Sequence, residues 1–198
     1  MSRTNRILLG MWLAVLVGAV GSIAWHASRE SKPASEKTAM GGPFSLTDQD
    51  GHAFTDANLI GKPSLIYFGY TYCPDVCPTS LQLIETAVEM LGPDATQKVN
   101  IVFITIDPER DTTQVMKGFV PAFGSTIVGL TGSADQVARA ANAYLVFYEK
   151  VPSKDKDTPY LMSHSSIIYL LNRQGHFVKT FAPDTEAEEI AKGVKELL

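Results

Sequence analysis

The chain has 198 residues, a length that suits one ordinary domain with an appendage. Apolar residues make up 45% of it and charged residues 19%, which is the composition of a folded protein. The formal net charge is -4 and the basic residues are scattered, so the chain lacks the basic pattern of a nucleic-acid-binding protein, and DNA or RNA binding is excluded.

The N-terminal segment predicts a membrane anchor. Arg3 and Arg6 precede an uncharged apolar run over residues 7–25. At about 1.5 Å per residue, a helix over this run spans roughly 28 Å, close to the hydrocarbon thickness of a bilayer. A cleaved signal peptide is the alternative. Its apolar core is usually about 7–15 residues long and ends at a small-residue cleavage site, whereas Trp25 and His26 end this run.

The expected topology is a single pass. The arginines keep residues 1–6 in the cytoplasm, which places the rest of the chain outside. No cysteine stands directly after the apolar run, which argues against lipoprotein processing. We therefore expect a bacterial inner-membrane protein whose folded part faces the periplasm. Residues 26–42 have the small, polar composition of a linker, and residues 43–198 are predicted to form the folded domain.

From residue 43 onward, strand patterns alternate with helix patterns. Hairpins are predicted over residues 44–54 and over 165–171 with 176–181, single strands over 64–70, 99–106, 127–130 and 145–151, and helices over 79–91, 112–123, 133–143 and 185–198. The polar stretch 153–160 is interpreted as a loop that continues to His164. This order of elements predicts a three-layer α/β sandwich with a mixed central sheet.

The two cysteines of the chain are four residues apart, in the segment Tyr72-Cys73-Pro74-Asp75-Val76-Cys77-Pro78. They lie between a predicted central strand and a predicted helix, where α/β sheets place ligand and redox sites. The positive end of the helix dipole favours thiolates there. Cys73 and Cys77 can therefore bind one soft metal ion or form a disulfide. A purely structural disulfide is disfavoured, because it would close a very short loop and stabilise little.

Two thiolates need a third ligand from elsewhere in the chain to make a well-defined metal site. The histidines are His26, His52, His164 and His176. His26 lies at the membrane edge, His52 in a predicted hairpin turn and His176 after a turn, so all three are expected at the surface. His164 directly precedes an apolar strand and is the candidate ligand.

Three segments carry a family resemblance. The segments FGYTYCPDVCPTS, ITIDPERDT and MSHSSIIYLLN together resemble the Sco/SenC family of copper chaperones, over roughly residues 43–198. The resemblance implies a thioredoxin-like fold and the delivery of copper to the binuclear copper centre of cytochrome c oxidase. It also implies two partners, the copper-bearing oxidase subunit and another periplasmic copper carrier. Some members of the family are thought to act as thiol–disulfide reductases on the cysteines of that centre.

Carried over by motif, the family's metal ligands fall on Cys73, Cys77 and His164, and its acidic residue near the site falls on Asp107. This chain departs from the family at Ser163, where members usually have Asp, and this puts the environment of the histidine in doubt. Two thiolates and an imidazole suit Cu(I), and the same ligands also accept Cu(II). Asp107 precedes a proline, so it could also be a simple helix-entry residue.

Three functions compete on this evidence. A copper carrier, which is not an enzyme, is favoured because His164 gives the site a ligand that disulfide exchange does not require. A thiol–disulfide oxidoreductase that cycles the Cys73–Cys77 pair is the alternative. A peroxiredoxin-like peroxidase ranks last, because it would need neither His164 nor a second cysteine at this spacing.

Overall fold

The computed structural model describes residues 40–124, 126–154 and 158–198. The predicted cytoplasmic segment 1–6, the predicted anchor 7–25 and all but the last three residues of the predicted linker 26–42 lie outside these ranges, as does His26. None of the helices within the described ranges has the length and apolar character needed to cross a bilayer. Gly41 donates a hydrogen bond to the Ala143 carbonyl at 2.8 Å, so the end of the predicted linker contacts the domain.

The elements of the described residues follow the predicted alternation. The strands are β1 Ser45–Asp48, β2 Ala53–Thr55, β3 Ser64–Gly69, β4 Asn100–Thr105, β5 Ile127–Thr131, β6 Tyr148–Pro152, β7 Tyr160–His164, β8 Ile168–Leu171 and β9 Phe177–Phe181. The helices are α1 Val76–Glu89, α2 Pro93–Thr96, α3 Thr113–Phe119, α4 Ala134–Ala143 and α5 Ala187–Lys195, with 3₁₀ turns at Asp56–Leu59 and Val120–Ala122.

Seven of the strands form one mixed sheet, in the order β2-β1-β5-β4-β3-β8-β9. Strands β3, β4 and β5 are parallel, and the other neighbours pair antiparallel. The carboxyl ends of the three parallel strands therefore meet at one edge of the sheet. The segment that carries the cysteines leaves β3 at this edge, which is where α/β folds commonly place their functional groups.

Helices cover both faces of the sheet, which confirms the predicted three layers. Every residue of β3 is buried, so the strand has apolar neighbours on both sides. On one face, Phe103 of β4 packs against Phe119 at the end of α3, with ring centroids 5.5 Å apart. On the other face, Phe68 of β3 packs against Tyr144, the residue after α4, also at 5.5 Å.

A separate two-stranded sheet carries the candidate histidine. Strands β6 and β7 pair antiparallel, with Tyr148 opposite His164. The prediction that residues 153–160 continue as a loop to His164 was wrong, since β7 begins at Tyr160. Its five residues, YLMSH, do not alternate between polar and apolar, and pairing with β6 supplies the hydrogen bonds that the sequence pattern alone did not indicate.

The chain enters this second sheet from the end of α4. The Leu145 N–H donates to the Asn142 carbonyl at 3.1 Å, and the Val146 N–H donates to the Ala141 carbonyl at 2.8 Å. This pair of bonds is the Schellman motif, in which the residue after the helix takes a left-handed conformation and is usually glycine. Here the residue is Leu145, with a φ of 55° and a side chain that is 56% exposed.

Candidate metal centre

The cysteines lie in a turn and in the first turn of a helix. After β3 ends at Gly69, the Cys73 N–H donates to the Tyr70 carbonyl at 3.2 Å and closes a turn. Helix α1 begins at Val76, earlier than the predicted start at residue 79, so Cys77 lies in its first turn. The Cys77 N–H donates to the Cys73 sulfur at 3.4 Å. Both thiols are free and both residues are buried.

A glycine at the end of β3 makes room for one of the sulfurs. A Cβ atom at Gly69 would lie 2.7 Å from the Cys77 sulfur and 2.9 Å from the Phe103 ring, closer than real Cβ contacts. Cys77 therefore packs directly against the backbone of the central strand. This contact explains why the sequence places a glycine at the exit of a strand that is otherwise made of larger residues.

His164 ends β7 and points its ring at the thiols. Its Nε2 atom lies 3.5 Å from the Cys77 sulfur, and its Nδ1 atom lies 3.2 Å from the Ser165 carbonyl oxygen. A carbonyl can only accept a hydrogen bond, so this contact assigns the proton to Nδ1 and leaves the Nε2 lone pair facing the thiols. That tautomer is the one a metal ligand needs.

The three predicted ligands come together in the folded chain. The sulfurs of Cys73 and Cys77 and a ring nitrogen of His164 all lie within 4.8 Å of one another. An ion with bonds of about 2.0–2.3 Å to sulfur and nitrogen separates its ligand atoms by about 3.5–4 Å. One metal ion can thus be accommodated with only small side-chain adjustments.

The two thiols differ in their acidity. The hydrogen bond from the Cys77 thiol lowers the pKa of Cys73 to about 4, helped by the backbone N–H groups of Asp75 and Cys77 and opposed by burial. The same bond, with burial and the negative charge on Cys73, raises the pKa of Cys77. Cys73 is therefore a thiolate at neutral pH, and Cys77 is the donor that stabilises it.

Two tyrosines form an aromatic wall around the imidazole. The rings of Tyr67 and Tyr70 meet His164 edge to face, at centroid distances of 6.3 and 5.9 Å. The Tyr67 hydroxyl points at the Cys77 sulfur at 3.9 Å, a long contact even for sulfur. Burial raises the pKa of Tyr67, so its hydroxyl keeps its proton.

The centre opens to solvent through a groove of about 410 Å³ between the cysteine turn and the β6–β7 hairpin. Its lining includes both Cys73 and His164. Ser163, which stands where the resembling family usually has Asp, is exposed and lines the same groove. An approaching molecule can therefore reach Cys73 and His164 without any opening of the main sheet.

The Asp107 carboxylate is not hydrogen-bonded to the ligand residues but to two neighbouring side chains. Its buried carboxylate accepts hydrogen bonds from the Tyr160 hydroxyl, at 2.9 Å, and from Arg110. The Arg110 guanidinium stacks on Tyr160, 3.8 Å from the ring centroid, and on Tyr72, at 4.8 Å. Asp107 is absent from the groove lining, as are Arg110 and Tyr160.

The sequence analysis missed Asp111, a fully buried carboxylate bonded to Thr71 in the cysteine turn. A signal was available, because threonines stand at or just beyond the ends of the three parallel strands, at Thr71, Thr105 and Thr131. The other described histidines lie at the surface, as predicted. His52 and His176 are both exposed, and His52 pairs with Asp48 at 3.5 Å.

Comparisons with known proteins agree with these features. The SCO1/SenC family model matches residues 32–198. A SCO2-like protein of Rickettsia felis is 41% identical over 202 residues, covering 98% of this chain and 97% of that protein. The mitochondrial SCO1 homologue of Homo sapiens is 40% identical over 159 residues, covering 80% of this chain but 52% of the human protein.

One solved structure that is similar is Bradyrhizobium japonicum ScoI with copper bound. It has a TM-score of 0.74 and 49% sequence identity to this chain, and the match covers 81% of this chain and 100% of that one. This likeness confirms the thioredoxin-like α/β fold with a mixed sheet.

Proposed function

This chain belongs to the SCO1/SenC family, and we propose that it carries copper to the binuclear copper centre of cytochrome c oxidase during assembly of that enzyme. One observation carries the proposal. The ligand atoms of Cys73, Cys77 and His164 lie within 4.8 Å of one another at the mouth of an open groove. The copper bound to the similar ScoI supports copper as the cargo.

The chemistry of the ligands fits this metal. Thiolate sulfur is a soft ligand that selects Cu(I), and imidazole nitrogen suits both copper oxidation states. A structural zinc site would normally require a fourth protein ligand. Among the described residues, the cluster of histidine, cysteine and acidic side chains close enough to hold an ion contains only these three.

The protein's own groups prepare the site for loading and release. Cys73 is already deprotonated at neutral pH, so only the Cys77 thiol has to lose a proton when an ion binds. The groove leaves Cys73 and His164 accessible from one side, so ligands of an acceptor protein can approach there. We propose the copper-bearing subunit of the oxidase as the acceptor and another periplasmic copper carrier as the donor.

The proposed location follows from the N-terminal sequence. Residues 7–25 are proposed to anchor the chain in the bacterial inner membrane, and residues 26–42 to link the anchor to a periplasmic domain. Extraction of membranes at alkaline pH should leave the protein in the pellet. A mature N-terminus beyond residue 26 would instead show that the segment is cleaved.

A thiol–disulfide reductase that acts on the cysteines of the same copper centre is the second candidate. The lowered pKa of Cys73 favours it, because a thiolate is the form that attacks a disulfide. Cys77, buried behind Cys73, would then resolve the mixed disulfide.

A binding measurement tests the proposal directly. The protein purified with reduced thiols should bind one copper per chain, and oxidation to the Cys73–Cys77 disulfide should abolish binding, because only thiolates act as ligands. Full copper loading of the oxidised protein would contradict the proposed site.

A rescue experiment separates the two functions. A strain without this protein should lose cytochrome oxidase activity, and added copper should partly restore it, since excess metal can fill the target site by mass action. A reductase predicts rescue by an external thiol reductant instead. Rescue by reductant alone would overturn copper delivery.

A further inference from the structure

We propose that Asp111 is a positioning residue for the metal centre, and that its carboxylate fixes the turn on which Cys73 is held. This role rests on the proposed function only where copper binding serves as a readout. Asp111 touches none of the three ligands and acts through Thr71.

The Asp111 carboxylate accepts two hydrogen bonds from Thr71. Oδ2 accepts the Thr71 backbone N–H at 3.0 Å, and Oδ1 accepts the Thr71 hydroxyl at 2.5 Å. Bidentate bonds of this kind restrict both the distance and the orientation of the residue they hold. Thr71 is the second residue of the turn that the Cys73 N–H closes on the Tyr70 carbonyl. Any rotation at Thr71 therefore moves Cys73.

The other side of Asp111 is attached to the ends of neighbouring strands. The Thr105 hydroxyl, at the end of β4, donates to Oδ2 at 2.6 Å. The Thr131 hydroxyl, at the end of β5, donates to the Asp111 backbone carbonyl at 2.6 Å. The Asp111 N–H donates to the Asp107 carbonyl at 2.9 Å. Asp111 thus connects the cysteine turn to the ends of β4 and β5.

The bonds of Asp111 are of the kind that a charged acceptor makes. Its side chain is fully buried, and burial is costly for a carboxylate unless polar partners replace water. Three donors, all from threonines, supply those partners. Two of the three come from Thr71 in the cysteine turn. The hydrogen bonds that compensate for burying this charge therefore also hold that turn in place.

A purely structural Asp111 makes a different prediction from a positioning one. A structural residue would lower the stability of the fold and leave the chemistry of the thiols unchanged. A positioning residue would alter the thiols and the metal affinity beyond any change in stability, because functional groups must be held to within about 0.5 Å of their working geometry.

The experiment compares three variants of the full chain. Asp111→Asn keeps the shape of the side chain but removes its charge and replaces one accepting oxygen by an NH2 donor, and Thr71→Val removes the hydroxyl that binds Oδ1. Thr131→Val is the matched control, because it removes an equally short hydrogen bond to Asp111 that does not involve the carboxylate. For each variant we would measure the urea unfolding midpoint, the equilibrium constant of the Cys73–Cys77 disulfide with glutathione and the copper Kd.

Asp111→Asn and Thr71→Val should raise the copper Kd by about 10–100-fold, the usual effect of losing a residue that orients a metal ligand. They should also change the thiol–disulfide equilibrium constant about tenfold. Thr131→Val should change both by less than about twofold. Equal effects in all three variants, or effects on the unfolding midpoint alone, would overturn the proposal.

Two further outcomes remain decisive. If Asp111→Asn does not fold, Thr71→Val carries the test, because it leaves the buried carboxylate and its other partners in place. If the wild-type protein binds no copper, the proposed function fails, while the metal-free thiol equilibrium still decides whether Asp111 positions the turn.

Discussion

Strands β3 and β7 lead to the two kinds of ligand, and they differ in how they are held. All six residues of β3 are buried, β3 is an interior strand of a seven-stranded sheet, and Cys77 packs against its last residue. Only Met162 of the five residues of β7 is buried, and β7 belongs to a two-stranded sheet. Among the described residues, the two sulfur ligands thus belong to the buried core, whereas the nitrogen ligand lies outside it, on the two-stranded sheet.

This difference predicts different consequences for mutations on the two sides of the centre, the sulfur side of Cys73 and Cys77 and the nitrogen side of His164. The thiols are fixed by packing, by the turn that Asp111 holds and by the start of α1. The imidazole is fixed by one hydrogen bond from its own ring, by the rings of Tyr67 and Tyr70 and by the hairpin. Damage to the sulfur side should therefore affect stability and metal binding together, whereas damage to the nitrogen side should affect binding with a smaller loss of stability.

The largest expected contrast is between Cys77→Ser and His164→Ala. Both variants should lose copper affinity by more than the roughly 100-fold that a residue behind the ligands can cost. Cys77→Ser should also destabilise the fold by about 1–3 kcal/mol, because it buries a hydroxyl in place of a sulfur. His164→Ala should cost less, about 0.5–1.5 kcal/mol, the usual value of an edge-to-face ring contact.

Copper titration and urea unfolding of both variants would check this contrast, with His52→Ala and His176→Ala as controls that keep wild-type affinity. A His164→Ala protein that unfolds as easily as Cys77→Ser would break the proposed division between the two sides.

Gly69→Ala should give the next largest effect. The added methyl group would meet the Cys77 sulfur and the Phe103 ring, and overpacking of this kind costs about 1–3 kcal/mol. Gly118→Ala is the matched control, because a Cβ there meets no atom within 4 Å and alanine favours the helix by about 0.5–1 kcal/mol. Thermal unfolding would measure both. Equal stability of the two variants would contradict the tight packing of Cys77.

Tyr160→Phe should have a smaller effect, on the nitrogen side. It removes the hydroxyl that donates to Asp107, which is worth about 0.5–1.5 kcal/mol, and keeps the ring on which Arg110 stacks. Urea unfolding should show this loss, and Tyr72→Phe, which changes an exposed ring, should show none. A loss of stability as large as that of Gly69→Ala would mean that the contacts of the β6–β7 hairpin contribute as much to stability as the packing of the core does.

The smallest expected change is the pH dependence of Cys73 alkylation. A lowered pKa keeps the thiolate present as the pH falls, until the pH approaches that pKa of about 4. The rate in the metal-free protein should therefore be nearly constant from pH 8 to pH 5. Cys77, whose pKa is raised, should react slowly throughout. A rate for Cys73 that falls about tenfold per pH unit over this range would contradict the assigned donor role of Cys77.

Much of the fold was predictable because its elements have strong local patterns. Strand β3 follows from a continuous β-rich run, and α1 from apolar residues at helical spacing that end before Gly92. Strand β7 was not predictable, since its pairing with β6 is a tertiary feature. The start of α1 was placed too late because Pro78 suits the first turn wherever that turn begins.

The candidate site was predictable in its ligands and less so in its supports. Cys73, Cys77 and His164 are chemically distinctive, and the family resemblance carried all three. Asp107 was expected near the site, yet its carboxylate binds Arg110 and Tyr160. Asp111 has no distinctive spacing of its own. Its importance arises from three threonines that become neighbours only when β3, β4 and β5 align.

The Schellman motif after α4 has a consequence for protein engineering. A left-handed leucine costs about 1–2 kcal/mol relative to the ordinary backbone conformation, and the exposed Leu145 side chain recovers little of this by packing. Leu145→Gly is therefore a candidate stabilising substitution. Yet position 145 also sets the direction in which the chain leaves the helix to build β6 and, across from it, the strand that ends in His164. Glycine would make the backbone at position 145 more flexible and would widen the range of hairpin orientations. The variant would then be more stable and yet hold its imidazole less firmly.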